Sequence, residues 1–145
     1  MRRERPLGPE GAAPGARRVL IVEDNQVNAM ILTAMLRRDG WEPLFAGDGA
    51  EGVAMTARFR PRLILMDLQM PRLDGFAAAR EILAGEAGPA AGAAPVIIAV
   101  TAAPSPDVRA ACRAAGFAEL VAKPIEMEAL LAVVRRHMRP ECPPE

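Results

Sequence analysis

The chain has 145 residues, enough for one ordinary domain, and its 18 basic and 18 acidic side chains leave a formal net charge of zero. A neutral balance gives no general grip on nucleic acid or an anionic membrane, and aromatics at 3% with no tyrosine leave little for base stacking. A chain of this size buries roughly 68–70% of its unfolded surface, so it needs no disulfide staple or structural metal to fold, and its two cysteines lack metal-type spacing.

Residues 1–16 mix Arg, Pro, Gly and Ala without an apolar run and read as a solvated tail, not a signal peptide. The Pro-rich 140–145 reads the same way, which leaves an ordered body over about 17–139. Nowhere do eighteen apolar residues follow one another, and Cys112 and Cys142 read as free thiols, so the expectation is a cytoplasmic protein.

Along that body, Val19–Val22 is wholly apolar, the pattern of a strand buried on both faces, and Glu23 and Asp24 follow it. Val27, Met30, Ile31, Ala34 and Met35 then recur at helical spacing and predict the core face of a first helix. Trp41–Ala46 is a weaker strand, and Pro43, which cannot donate to a ladder, puts it at a sheet edge. Trp41 itself is expected to cover apolar surface. Asp48 with Glu51 three residues on opens a second helix, whose apolar set is Ala50, Val53, Ala54 and Ala57.

Leu63–Met66 is another fully apolar run, ended by Asp67. Asp74 before Gly75 opens a helix carrying Phe76, Ala79 and Leu83, and the Gly/Ala-rich stretch 84–94 reads as a surface insertion. Val96–Val100 is the fourth strand, followed by Thr101; Ser105–Pro106 then starts a helix with Val108, Ala111, Cys112 and Ala115. Leu120–Ala122 suits the opposite edge and leads into Lys123–Pro124. Met127, Leu130, Leu131, Val134 and Met138 mark the last helix, where His137 sits among arginines as a solvated residue without a role.

Five β–α units with right-handed crossovers give a doubly wound α/β sheet, whose ligands bind at the carboxyl ends of the strands. Glu23, Asp24, Asp67, Thr101 and Lys123 all fall at those ends. Three carboxylates brought together repel one another unless a cation joins them or a proton is taken up, and hard oxygen ligands with room for water suit Mg²⁺. The ion, the three acids and Lys123 would balance to zero charge, ready for a phosphoryl group that Asp67 attacks in line while Thr101 donates to one of its oxygens.

Standing alone, Glu23 and Asp24 would read as helix caps and Asp67 as the start of a turn; their company at the other strand ends reverses that reading. Lys123 adds an argument of its own. It is the single lysine among 18 basic residues, all others being arginine. Codon bias explains the arginine excess but not why the survivor ends a strand, where a compact ammonium fits an oxygen cluster better than a guanidinium fork.

Val22-Glu23-Asp24-Asn25, Met66-Asp67-Leu68-Gln69-Met70-Pro71, Asp74-Gly75, Val100-Thr101-Ala102 and Ala122-Lys123-Pro124 together resemble the receiver domain of two-component response regulators, from about Arg17 to about Met138. The resemblance implies a flavodoxin-like, five-stranded parallel sheet of order 2-1-3-4-5 with five helices. It implies that Asp67 accepts a phosphoryl group from a phosphohistidine of a sensor kinase or phosphotransfer protein and later loses it to water. Such a protein is a stoichiometric phosphoacceptor with Mg²⁺-dependent self-phosphorylation and self-dephosphorylation, not a turnover enzyme. By the same resemblance Asp24, Asp67 and the Gln69 backbone carbonyl would bind Mg²⁺ directly, Glu23 through a water, while Thr101 and Lys123 read the phosphoryl oxygens. Asn25, Asn28 and the first helix resemble receivers that dock on helical phosphotransfer partners.

The same pattern implies a stand-alone receiver, a monomer or weak dimer, whose output is a protein contact, with the fourth helix, fifth strand and fifth helix as the family's usual partner face. Leu120 stands where many receivers carry an aromatic switch, and Pro104 and Pro106 narrow the loop after Thr101, so a smaller loop movement is expected. Gln69 and Ala103 flank the family's path of attacking water and should tune phosphate lifetime. Two other readings compete. A haloacid-dehalogenase-type phosphatase would want an acid where Gln69 stands, and a receiver-shaped scaffold that is never phosphorylated would not need the complete acid, threonine and lysine set.

Overall fold

Residues 17–70, 74–85 and 95–138 are described by a computed structural model. The expectations for the two tails, Cys142, Pro71 and nearly all of the 84–94 stretch lie outside those residues. The apolar runs become the strands β1 (Arg18–Val22), β2 (Glu42–Ala46), β3 (Leu63–Asp67), β4 (Val96–Thr101) and β5 (Glu119–Ala122). Helices α1 (Gln26–Arg38), α2 (Gly49–Phe59), α3 (Gly75–Ala84), α4 (Pro106–Ala115) and α5 (Met127–His137) connect and close them.

All pairings are parallel and the order is β2-β1-β3-β4-β5. The strand with Pro43 lies at one edge and the short β5 at the other, as the missing proline donor and the weak apolar run predicted. Side chains alternate across the sheet. Val19 and Ile21 enter one apolar layer with Leu32 and Leu36 of α1 and Leu130 and Val134 of α5. Leu20 and Val22 enter the other, with Ala78, Ala79 and Ile82 of α3 and Cys112 and Ala115 of α4.

Helix starts carry the caps that the sequence signals: Asp48 accepts from the Glu51 N–H, Asp74 from Ala77 and Ser105 from Val108, with Pro106 in the first turn of α4. α1 is capped by Asn25, which accepts from the Asn28 N–H at 3.0 Å. Neither Glu23 nor Asp24 is its cap.

The expected core faces of α1 and α2 are corrected. Val27, Met30 and Ile31 are 64%, 69% and 46% exposed, and Ala34 is exposed as well; the sheet instead takes Ala29, Leu32 and Leu36. α1 is apolar on more than one side, so spacing alone offers two stripes, and the one with two leucines fills the depth beside β1. On α2, Ala50, Ala54 and Ala57 face solvent while Gly49, Gly52 and Thr56 are buried. A Cβ at Gly52 would come within 3.0 Å of the Val22 side chain, and Thr56 satisfies its own hydroxyl on the Gly52 carbonyl at 2.8 Å. Small residues make the close approach, and Val53, as expected, packs partly buried against the core together with Met55 and Phe59.

Trp41 is buried just ahead of β2, with the Arg17 guanidinium 4.6 Å over its ring. His137 is not merely solvated: its Nε2 lies 2.7 Å from Glu119 Oε1 on β5, and Arg136 donates to both oxygens of the same carboxylate. Burial raises that carboxyl, but the His137 and Arg136 hydrogen bonds together outweigh it and hold Glu119 below its ordinary value.

Candidate functional site

Parallel strands with crossover helices align every strand's carboxyl end on one rim, and there the acids meet. Oxygens of Glu23, Asp24 and Asp67 lie within 4.8 Å of one another, although 43 residues separate the two aspartates. Glu23 and Asp67 are buried and Asp24 is exposed. Lys123 reaches across from the end of β5, its Nζ 3.3 Å from Asp67 Oδ2 and 3.4 Å from Glu23 Oε1. Its stem makes that approach from the rim, with the side chain 22% exposed.

Backbone groups hold the acids in place. The Asn25 N–H donates to Glu23 Oε2 at 3.2 Å, and the Gln69 N–H donates to Asp67 Oδ1 at 3.1 Å. Among the described residues nothing donates a hydrogen bond to the buried Glu23 Oε1; Lys123 is its charge neighbour without donating to it in hydrogen-bond geometry. Burial pushes the Glu23 carboxyl above its ordinary value and the Asp67 carboxylate adds to the rise, while the Asn25 N–H and the Lys123 charge act the other way. A buried carboxylate oxygen with no donor, beside two further carboxylates, is a set that could hold a hard divalent cation.

Thr101 is buried one position past the Asp67↔Val100 pairing. Its Oγ1 accepts from the Ala103 N–H at 3.1 Å, which leaves the O–H to donate, and its carbonyl accepts from the Lys123 N–H at 2.8 Å. Strand register thus ties the threonine and the lysine to one rim. The structure therefore brings Glu23, Asp24, Asp67 and Lys123 together, with Thr101 on the adjacent strand end. Leu120 is part-buried and packs in the α3–α4 layer.

Two roles at residues already named escaped the sequence reading. Asn25 serves both neighbours: its side chain caps α1 and its N–H fixes Glu23. Gly75 matters by absence of a side chain, since a Cβ there would lie 2.7 Å from the Asp67 carbonyl oxygen. An Asn three residues before the capped N–H was a visible signal; the close approach of Gly75 was not, because it depends on how α3 meets β3.

A model of the response regulator receiver domain family matches residues 19–135. Protein PilH of Pseudomonas aeruginosa is 35% identical over 117 residues, covering 81% of this chain and 93% of PilH. Transcriptional regulatory protein PdtaR of Mycobacterium tuberculosis is 37% identical over 130 residues; the alignment takes in 88% of this chain but spans only 60% of PdtaR. Among solved structures, the receiver domain of the sensor histidine kinase PA1611 of P. aeruginosa, with magnesium in its active site cleft, has a TM-score of 0.74 and 38% identity, covering 84% of this chain and 97% of that one. The receiver domain of Saccharomyces cerevisiae Ssk1, crystallised with the phosphotransfer protein Ypd1, has a TM-score of 0.76 and 32% identity, covering 83% and 87%. Sequence match and fold agree over the same residues, and the chain belongs to the response regulator receiver domain family.

Proposed function

We propose that Asp67 accepts a phosphoryl group from the phosphohistidine of a histidine kinase or phosphotransfer protein. The observation that carries this reading is the meeting of Glu23, Asp24 and Asp67 within 4.8 Å, with Lys123 3.3 Å from Asp67. An Asp67 carboxylate oxygen attacks phosphorus, the phosphorus–nitrogen bond to imidazole breaks, and the imidazole recovers its electron pair. Lys123 and the Thr101 hydroxyl then hold phosphoryl oxygens, Lys123 exchanging part of its contact with Asp67 for them. Water later reaches phosphorus between Gln69 and Ala103 and attacks it; the phosphorus–oxygen bond to Asp67 breaks, inorganic phosphate leaves and the carboxylate is restored.

The three carboxylates fit Mg²⁺; Asp24, Asp67 and the Gln69 carbonyl would hold it directly, and Glu23 would act through water. When bound, the ion supplies charge neutralisation for the carboxylates and the incoming phosphoryl oxygens. The magnesium in the PA1611 receiver supports this assignment.

The exposed Val27, Met30 and Ile31 on α1, beside the acidic rim, are the face on which a helical phosphodonor docks. Alongside them, Met30, Ala34 and Phe45 help line a groove of about 380 Å³ between α1 and β2. The Ypd1–Ssk1 complex supports a partner of that class. Among the described residues no helix is long and apolar enough to cross a membrane, and the protein is proposed to signal in the cytoplasm through protein contacts.

Incubation with acetyl phosphate and Mg²⁺, followed by intact-mass analysis, tests the assignment. One added phosphoryl group is expected on the wild type, none on Asp67→Ala and none after chelation of the metal. Equal labelling of wild type and Asp67→Ala would remove Asp67 from the role.

A further inference from the structure

Neutral net charge conceals a sharp segregation. Glu23, Asp24, Asp67 and the caps Asp48 and Asp74 gather at the strand carboxyl ends. The opposite end is arginine-rich. There the start of β1 carries Arg17 and Arg18, the α1–β2 turn follows Arg37 and Arg38, and the α2–β3 turn follows Arg58 and holds Arg60 and Arg62. Backbone contacts bind these three segments side by side, since the Glu42 N–H donates to the Arg17 carbonyl and the Arg62 N–H to the Arg18 carbonyl. Of these seven arginines, Arg18 is buried and donates to the Phe59 carbonyl, so six meet two acids, Asp39 and Glu42, across the three segments. Asp39 is already engaged by Arg17 and Arg135.

Cations at helix C-termini are ordinary complements of the helix dipole, which accounts for Arg37, Arg38 and Arg58. It does not account for Arg62, which lies two positions past the cap of α2. Arg60 is that cap, in the left-handed region at φ 50°, where glycine or asparagine is the usual choice and where α4 has Gly116; a cation there also suits the helix dipole. Arg37, Arg38, Arg60 and Arg62 are exposed and form no ion pair among the described residues.

We propose that this basic end binds the phosphodiester backbone of a nucleic-acid duplex without reading its sequence. Partner class follows from what accompanies the charge. The exposed large apolar residues among those described, Val27, Met30, Ile31 and Phe45, lie on α1 and β2 outside these three segments, although Arg37 lines the groove that Met30 and Phe45 share. A protein interface needs apolar anchors at its core, and a membrane-surface site needs apolar side chains to insert. Nucleic-acid interfaces are instead the polar, densely positive ones, and guanidinium forks match phosphate oxygens. Every Asn and Gln of the chain, namely Asn25, Gln26, Asn28 and Gln69, lies toward the acidic end, so amide side chains cannot read base edges from the basic one.

Fluorescence anisotropy with labelled DNA and RNA duplexes of about 20 base pairs, at about 50 mM salt, tests the proposal. Binding of either duplex is expected, its identity naming the source, with log affinity falling against log salt at a slope of about −3 or steeper, the mark of three to four neutralised phosphates. The triple variant Arg37→Glu, Arg38→Glu, Arg62→Glu should bind at least ~10-fold more weakly while Asp67 still labels with acetyl phosphate. Arg60→Gly, which suits the positive φ and so preserves the fold, should flatten the slope by about 0.9. Absence of binding to both duplexes, equal binding by the triple variant, or binding confined to phosphatidylserine vesicles or polyglutamate would overturn it. Because Asp67 lies at the other end, these outcomes are independent of the phosphoacceptor assignment.

Discussion

At Gly75 a Cβ would meet the Asp67 carbonyl oxygen at 2.7 Å and the Leu68 Cα at 2.9 Å. Both are backbone atoms of the segment that carries the proposed phosphoacceptor, so neither can swing aside. Gly75→Ala is expected to cost about 1–3 kcal/mol in urea unfolding and to lower the extent of acetyl phosphate labelling, because the added methyl displaces the Asp67 backbone. Wild-type midpoint and labelling in that variant would show that the contact relaxes elsewhere. The Asp74–Gly75 pair was legible as a helix start, and the acids and Lys123 as strand-end residues. What could not be read was the reason for glycine, which exists only once α3 has settled on the turn after β3. Thr101 serves its own loop as well as the rim: its Oγ1 accepts from the Ala103 N–H, and its O–H remains to donate.

Among the elements, α1 presents two apolar stripes where the periodicity favoured one. The leucines turn inward and leave Met30 and Ile31 outside, a placement that packing depth decides and spacing does not. Met30→Asp combined with Ile31→Asp should therefore change stability by about 0.5 kcal/mol or less and leave acetyl phosphate labelling intact. Transfer from a phosphorylated histidine phosphotransfer domain should fall at least ~10-fold, as for loss of interface anchors. Undiminished transfer would place the donor elsewhere. At β5 and α5, Glu119 joins Arg136 and His137. Its carboxyl titrates below the ordinary 4.5, so the bond's stabilisation is complete above that value and drains away as pH falls toward the lowered one. Urea unfolding of Glu119→Gln should show a deficit of about 0.5–1 kcal/mol near neutral pH, modest because the pair is partly solvated, and the gap should close on acidification below 4.5. A gap that widens in acid would contradict the pairing.

For the whole molecule, the two edges of the sheet were legible because one strand contains a proline and one is short, while the apolar runs within the other three put them inside; the order of those inner strands came from the family resemblance. α2 was the least legible helix, since Gly52 and Thr56 form its buried stripe and neither signals a core position. Charge followed a similar course: the total of zero was sound, but its division between two ends became visible only after parallel strands and antiparallel helices had sorted the chain by direction. Trp41, the single tryptophan, is buried under Arg17 at the basic end, far along the strand from Asp67. Intrinsic emission is therefore a local witness: it records loss of the core and events around Arg17, and stays quiet while magnesium or a phosphoryl group arrives at the distant rim.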